Sequence, residues 1–159
     1  MLFGYGTVCW MVLGSIILVR LFTLPLPPTP LLPTLVIELA PPVVAGTAWF
    51  VINGNRVDTV AQLLAGYAVL MLVVQLRLLP LYLRVPFAAG VWAYGFTAAA
   101  VVTVSIRWLV AGQVAAQQAL TYALLAVITL GIVALAVRTV LGLSRGTFLP
   151  RTPPVPATP

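Results

Sequence analysis

Residues 31–80 read LLPTLVIELAPPVVAGTAWFVINGNRVDTVAQLLAGYAVLMLVVQLRLLP, and this stretch decides the fold. Two apolar runs flank the polar turn Asn53-Gly54-Asn55. A bilayer core about 30 Å thick is crossed by about 20 apolar residues rising 1.5 Å each. Each run is therefore read as a transmembrane helix, with Asp58 and Thr59 as N-cap of the second. The continuity of the runs excludes barrel strands, which would alternate over segments of about ten residues.

Working outward gives an all-α membrane bundle of five spans, at about 2–22, 33–52, 60–79, 86–110 and 118–143. The proline cluster Pro25, Pro27, Pro28, Pro30 and Pro33 reads as an extended loop, since proline cannot continue a helix interior. Pro80 and Pro86 bracket a short loop, and Ala111-Gly112-Gln113 separates the last two spans. Residues 1–145 form one transmembrane domain on this reading, and the Pro/Thr-rich tail 146–159 is expected to be disordered. The first run lacks a basic leader and a small-residue cleavage site, so it is read as a retained span.

Composition supports lipid as the solvent. Apolar residues make up 62% of the chain, charged residues 6%, and mean hydropathy is +1.16. A soluble domain carries about a quarter charged residues. The eight arginines are scattered singly, so no basic stripe with a nucleic-acid footprint forms. The lone Cys9 excludes a disulfide framework within the chain. With no histidine and only two carboxylates, Glu38 and Asp58, enzymatic chemistry, a metal site and a cofactor are not expected.

Candidate functional residues are intramembrane polar groups and helix breaks. Pro41 and Pro42 lack backbone donors and deprive the Ile37 and Glu38 carbonyls of their usual partners. Glu38, Pro42, Ala45 and Trp49 follow one another at spacings of three to four, which predicts one helix face. Two readings stand side by side here: a pore-lining break, or a packing kink with Glu38 near the headgroups. The fourth span sets Phe87, Trp92, Tyr94 and Phe96 among the small residues Ala93, Gly95, Thr97 and Ala100. Small residues serve close helix packing in lipid, and they equally leave room for a lumen. Arg77 and Arg107 read either as interfacial anchors or as anion-attracting mouths.

Several motifs together carry a resemblance: Pro33 to Pro42, Gly66-Tyr67, Arg77-Leu78-Leu79-Pro80, and Trp92-Ala93-Tyr94-Gly95-Phe96 after Pro86-Phe87. From about Phe3 to Arg145 the chain resembles the C-terminal half of the tellurite-resistance/dicarboxylate transporter family, which includes TehA-like bacterial proteins and the plant slow-type anion channels. The resemblance implies ten helices paired as five hairpins around a pore, assembled as trimers. It makes the spans here the sixth to tenth, with the second and fourth lining the pore. It matches Phe96 to the family's gating phenylalanine and makes Glu38, Pro41, Pro42, Ala45, Ala93, Thr97 and Ala100 candidates for the lining.

The function expected is passage of anions, such as dicarboxylates, tellurite-like oxyanions or small inorganic anions. The chain is expected to be a truncated member. Its partners would be the lipid bilayer, anions, and either a homotrimer or a complementary half. The alternative is a non-transporting membrane fragment or a helix-packing subunit.

Orientation follows from charge. Arg20, Arg77, Arg84, Arg138, Arg145 and Arg151 fall on one side, and only Arg56 and Arg107 on the other. The positive-inside rule places the six-arginine side, with the C-terminus, in the cytoplasm of a multi-pass plasma (inner) membrane protein. A reporter active only in the cytoplasm, fused after Pro159, is therefore expected to be active. A well-expressed but silent fusion reverses the topology.

Overall fold

The computed structural model describes residues 1–146 and 148. The expected tail disorder and Arg151 fall almost wholly on residues 147 and 149–159, outside the described residues. Five α-helices follow one another: α1 (Leu2–Thr23), α2 (Ala40–Ile52), α3 (Thr59–Tyr82), α4 (Trp92–Ala111) and α5 (Gln117–Ser144). A 3₁₀ helix, Thr29–Leu39, runs directly into α2, and a 3₁₀ turn, Ala89–Val91, leads into α4. No strand occurs among the described residues. Counting Thr29–Ile52 and Ala89–Ala111 as continuous rods, all five spans are long and apolar enough to cross a membrane.

Three sequence boundaries move. The second span begins at Thr29, inside the proline cluster expected to be a loop. A 3₁₀ winding accommodates this, because Pro30 sits in its first turn, where a missing N–H costs nothing. The third span runs through Pro80 to Tyr82; there the proline sits in the last turn, with Leu83 N–H closing onto the Leu79 carbonyl at 3.0 Å. The fourth becomes helical at Ala89 rather than Pro86.

The second span is the centre of the bundle. It packs on both α3 and α4, while α1 leans on α2 and α5 on α4. One cluster of buried side chains joins Leu32, Leu35 and Tyr82, and another joins Leu39, Val43 and Met71. Close approach requires small residues. A Cβ on Gly46 would come within 3.2 Å of Val104 Cγ2, and one on Gly95 within 3.2 Å of Leu135 Cδ1. These glycines set the α2–α4 and α4–α5 spacings, a common device where hydrophobic burial does not drive helix association.

Eleven residues is long for a 3₁₀ helix, whose hydrogen-bond geometry is inferior and whose runs seldom exceed about four. Neighbouring side chains brace it. Gln75 of α3 donates from Nε2 to the Leu35 carbonyl at 3.2 Å, and Tyr82 donates to Gln75 Oε1. Thr97 of α4 donates to the Val36 carbonyl at 3.4 Å. The Ile37 carbonyl, which loses the N–H of Pro41, accepts instead from Ala40 N–H. The Glu38 carbonyl has no such recourse, since both Pro41 and Pro42 lack the donor. The change of winding at Leu39–Ala40 falls where the two prolines require it.

Replacing Gln75 with leucine removes the donor to Leu35 and the acceptor for Tyr82 together. Interhelical hydrogen bonds in membrane bundles average about 0.6 kcal/mol, and orphaning a buried polar group costs about 1–3. Gln75→Leu is expected to destabilise by about 1–2 kcal/mol, seen as a lower unfolding midpoint in detergent. An unchanged midpoint would show that the 3₁₀ segment does not depend on this brace.

Candidate functional site

The fourth span divides its residues between two surroundings. Thr97 is 2% exposed and holds the Val36 carbonyl, and Ala100 packs against the Leu39–Val43–Met71 cluster. Phe96, one position before Thr97, is 59% exposed. Trp92, one turn earlier, is also open, with its indole N–H donating to Thr139 Oγ1 at 3.0 Å. Ala93 is half-buried. Phe96 thus contributes little to this chain's own core, and its ring stands on a face that these five helices leave uncovered.

The second span separates residues that its spacing had put together. Pro42 is fully buried and lines a cavity of about 330 Å³ among α2, α3 and α4, with Gly46, Ala65, Val104 and Trp108. Pro41 and Ala45 line a different groove, of about 240 Å³, against Gly6 and Trp10 of α1. Glu38 is half-buried on the 3₁₀ segment, and Trp49 reaches the following loop. Pro42 and Ala45 thus border different spaces, one toward α3 and α4 and the other toward α1. Three residues along an α-helix return only to within about 60° of the starting direction, and the 3₁₀ winding before Ala40 shifts the register again. Pro42 and Thr97 are enclosed by this chain's own helices, unlike Phe96.

At the far end of α2 the loop to α3 forms a closed polar knot. Asp58 accepts from the Ala61 N–H at 2.9 Å, from Trp49 Nε1 at 2.9 and 3.1 Å, and from Asn53 Nδ2 at 3.3 Å. Asn55 takes a left-handed φ of 60°, donates its N–H to the Phe50 carbonyl at 2.8 Å, and accepts from Arg107 Nη1 at 3.4 Å. Beneath it, Phe50 is wholly buried and meets Trp108 edge-on at 5.2 Å. Arg107 is thereby steered from the end of α4 toward this loop, while Arg77 on α3 stays exposed. Donors rather than a cation hold the Asp58 carboxylate. The Ala61 N–H chiefly, helped by the Trp49 indole, the Asn53 amide and the Val60 N–H against an opposing desolvation, keeps its pKa below the ordinary carboxylate value.

Gln75 and Tyr82 are absent from the sequence-derived candidates. A glutamine in the middle of an apolar run is a signal that was available, because intramembrane polar groups are seldom idle. Its partner, a backbone carbonyl forty residues away, carries no mark in the sequence.

Five apolar helices of membrane length, one of them broken and braced in its middle, define a multi-pass helical membrane protein. Residues 1–140 match the voltage-dependent anion channel family, and the chain belongs to that family. It is 36% identical over 94 residues to a tellurite resistance protein TehA homolog of Haemophilus influenzae. That match takes in 59% of this chain and 28% of the relative's length.

The Asp58 knot generates a pH dependence. Its folded-state pKa lies below the unfolded value of about 3.9. Its stabilisation is therefore present above about pH 4 and is lost as pH falls through the lower folded value. Asp58→Ala is expected to lower the unfolding midpoint in detergent at pH 7, and the gap to narrow progressively below about pH 4. A gap of constant size down to pH 3 overturns the assignment.

Proposed function

We propose that this chain supplies part of the wall of an anion pore, with the second and fourth spans facing the pathway and the ring of Phe96 as its constriction. The observation that carries the reading is the exposure of Phe96. A large apolar ring on a helix otherwise rich in small residues stands open at 59%, on the span whose motif resembles the family's gate. A hydrophobic constriction stops ions because they cannot exchange their water for an apolar wall. Ala93 beside the ring, with Glu38, Pro41 and Ala45 on the second span, are the remaining lining candidates; Ala100 borders them from the packed side. The outer helices can face lipid, but an open ring on α4, which packs on both α2 and α5, is where further helices would complete the wall, supplied by copies of the chain in a homotrimer or by a complementary half. The lower-level assignments belong to the same proposal: residence in the plasma (inner) membrane, a cytoplasmic C-terminus, and dicarboxylates, tellurite-like oxyanions or small inorganic anions as cargo. The relative's name supports an oxyanion among them.

A second reading, a non-transporting subunit that packs helices, is favoured by the enclosed positions of Pro42 and Thr97. Phe96→Ala separates the two. In vesicles where the remaining helices of a ten-helix pore are supplied, anion flux is expected to rise severalfold. Truncating a core phenylalanine costs about 3–5 kcal/mol; an exposed ring should cost far less, so expression and unfolding midpoint are expected to hold. Normal expression with unchanged flux sinks the gate and leaves the packing role.

A further inference from the structure

At the end of the bundle opposite the Asp58 knot, the loop before α4 and the end of α5 line a half-open cavity of about 410 Å³. Its walls are of two kinds. Arg138 and Arg145 supply guanidiniums, while Phe87, Leu141 and Phe148 supply apolar surface. Neither of the chain's carboxylates lines it. The Arg138 guanidinium lies over the Phe87 ring at 5.5 Å from the centroid, and Phe87 lies 6.0 Å from Phe148. Stacking occupies the flat face of a guanidinium and leaves its in-plane N–H donors directed outward. Arg145 is seven residues on, two turns along the same face of the helix.

We infer that this cavity binds the phosphate of an anionic phospholipid, with Arg138 and Arg145 clasping the headgroup and Phe87, Leu141 and Phe148 receiving its glycerol and upper acyl chain. Depth supports a lipid. At 1.5 Å per residue, the 28 residues of α5 span about 42 Å, close to the 40–45 Å of a bilayer with its headgroups. Arg138 precedes the end of α5 by six residues, about 9 Å, which sets it just beneath the headgroup layer, and Arg145 sits at the layer's outer side. A phosphate at the lipid headgroup level falls between them. A site for a dissolved anion would have no use for two phenylalanines and a leucine beneath the charge. The guanidinium fork matches phosphate oxygens in pairs, which an ammonium would not. The inference depends on the chain's lying in a bilayer and not on its conducting anions.

The full chain, reconstituted in vesicles of equal phosphatidylglycerol and phosphatidylcholine and then extracted in mild detergent, is expected to retain phosphatidylglycerol preferentially. A basic residue at the membrane surface contributes roughly fivefold in affinity, so Arg138→Gln with Arg145→Gln should cut that preference by about 25-fold. Arg107→Gln, at the other end of the bundle, should leave it intact. Inorganic phosphate at tens of millimolar should not displace the lipid. An undiminished preference in the double variant overturns the inference. Displacement by inorganic phosphate also overturns it, in favour of a free-anion site. Should the double variant lose its helical circular dichroism, Arg145→Gln alone, at an exposed helix end, is the readout. A fivefold loss supports the lipid site, and no loss overturns it.

Discussion

The carbonyls of Leu35 and Val36 accept hydrogen bonds from Gln75 on α3 and Thr97 on α4, and the arrangement of the bundle turns on those two bonds. In lipid, a backbone group left unpaired has no water to turn to. A span carrying Pro33, Pro41 and Pro42 would otherwise be an expensive element to place at the centre. The braces come from the two helices that pack on it, so the repair of the backbone and the assembly of the core are one event. Of the four largest wholly buried side chains, Pro33 and Pro42 belong to the second span and Thr97 faces it from α4, while Phe50 lies at the far end of α2. A 3₁₀ stretch inside a membrane span is also where a small change in winding could shift neighbouring residues, Glu38 among them, relative to α3 and α4.

A second constraint is the imbalance between packed and open faces. The second span is the most enclosed of the five, whereas the most apolar windows of α1 and α5 bury nothing. Those outer helices are suited to face lipid. The openness of Phe96 is of another kind, because it sits on α4, which is flanked by α2 and α5 and packs on both. On the pore reading proposed above, this ring is where further helices would complete the wall. The two ends of the bundle differ as well. One closes in a hydrogen-bonded knot around Asp58, and the other opens into a cavity flanked by Arg138 and Arg145. A hydrogen-bonded carboxylate at one end and a pair of guanidiniums at the other make the two ends chemically distinct.

What the sequence determined by itself was the number of spans, their approximate positions and the membrane as solvent. Run length and hydropathy are properties of single segments, and a bilayer reads each segment independently. The break at Pro41–Pro42 was equally legible, since a missing N–H is written in the residue type. Tertiary structure alone decided which residues the break brings together. Helical spacing put Pro42 and Ala45 on one face, yet one lines the cavity with α3 and α4 and the other the groove against α1. Spacing likewise could not tell Thr97 from Phe96, adjacent in the chain and opposite in burial. Which side of α4 is open depends on where α2 and α5 dock, and that docking rests on the close approaches at Gly46 and Gly95, not on any local preference. The partner of Gln75 was beyond reach for the same reason. A carbonyl is identical at every residue, so only packing selects the one that will accept the bond.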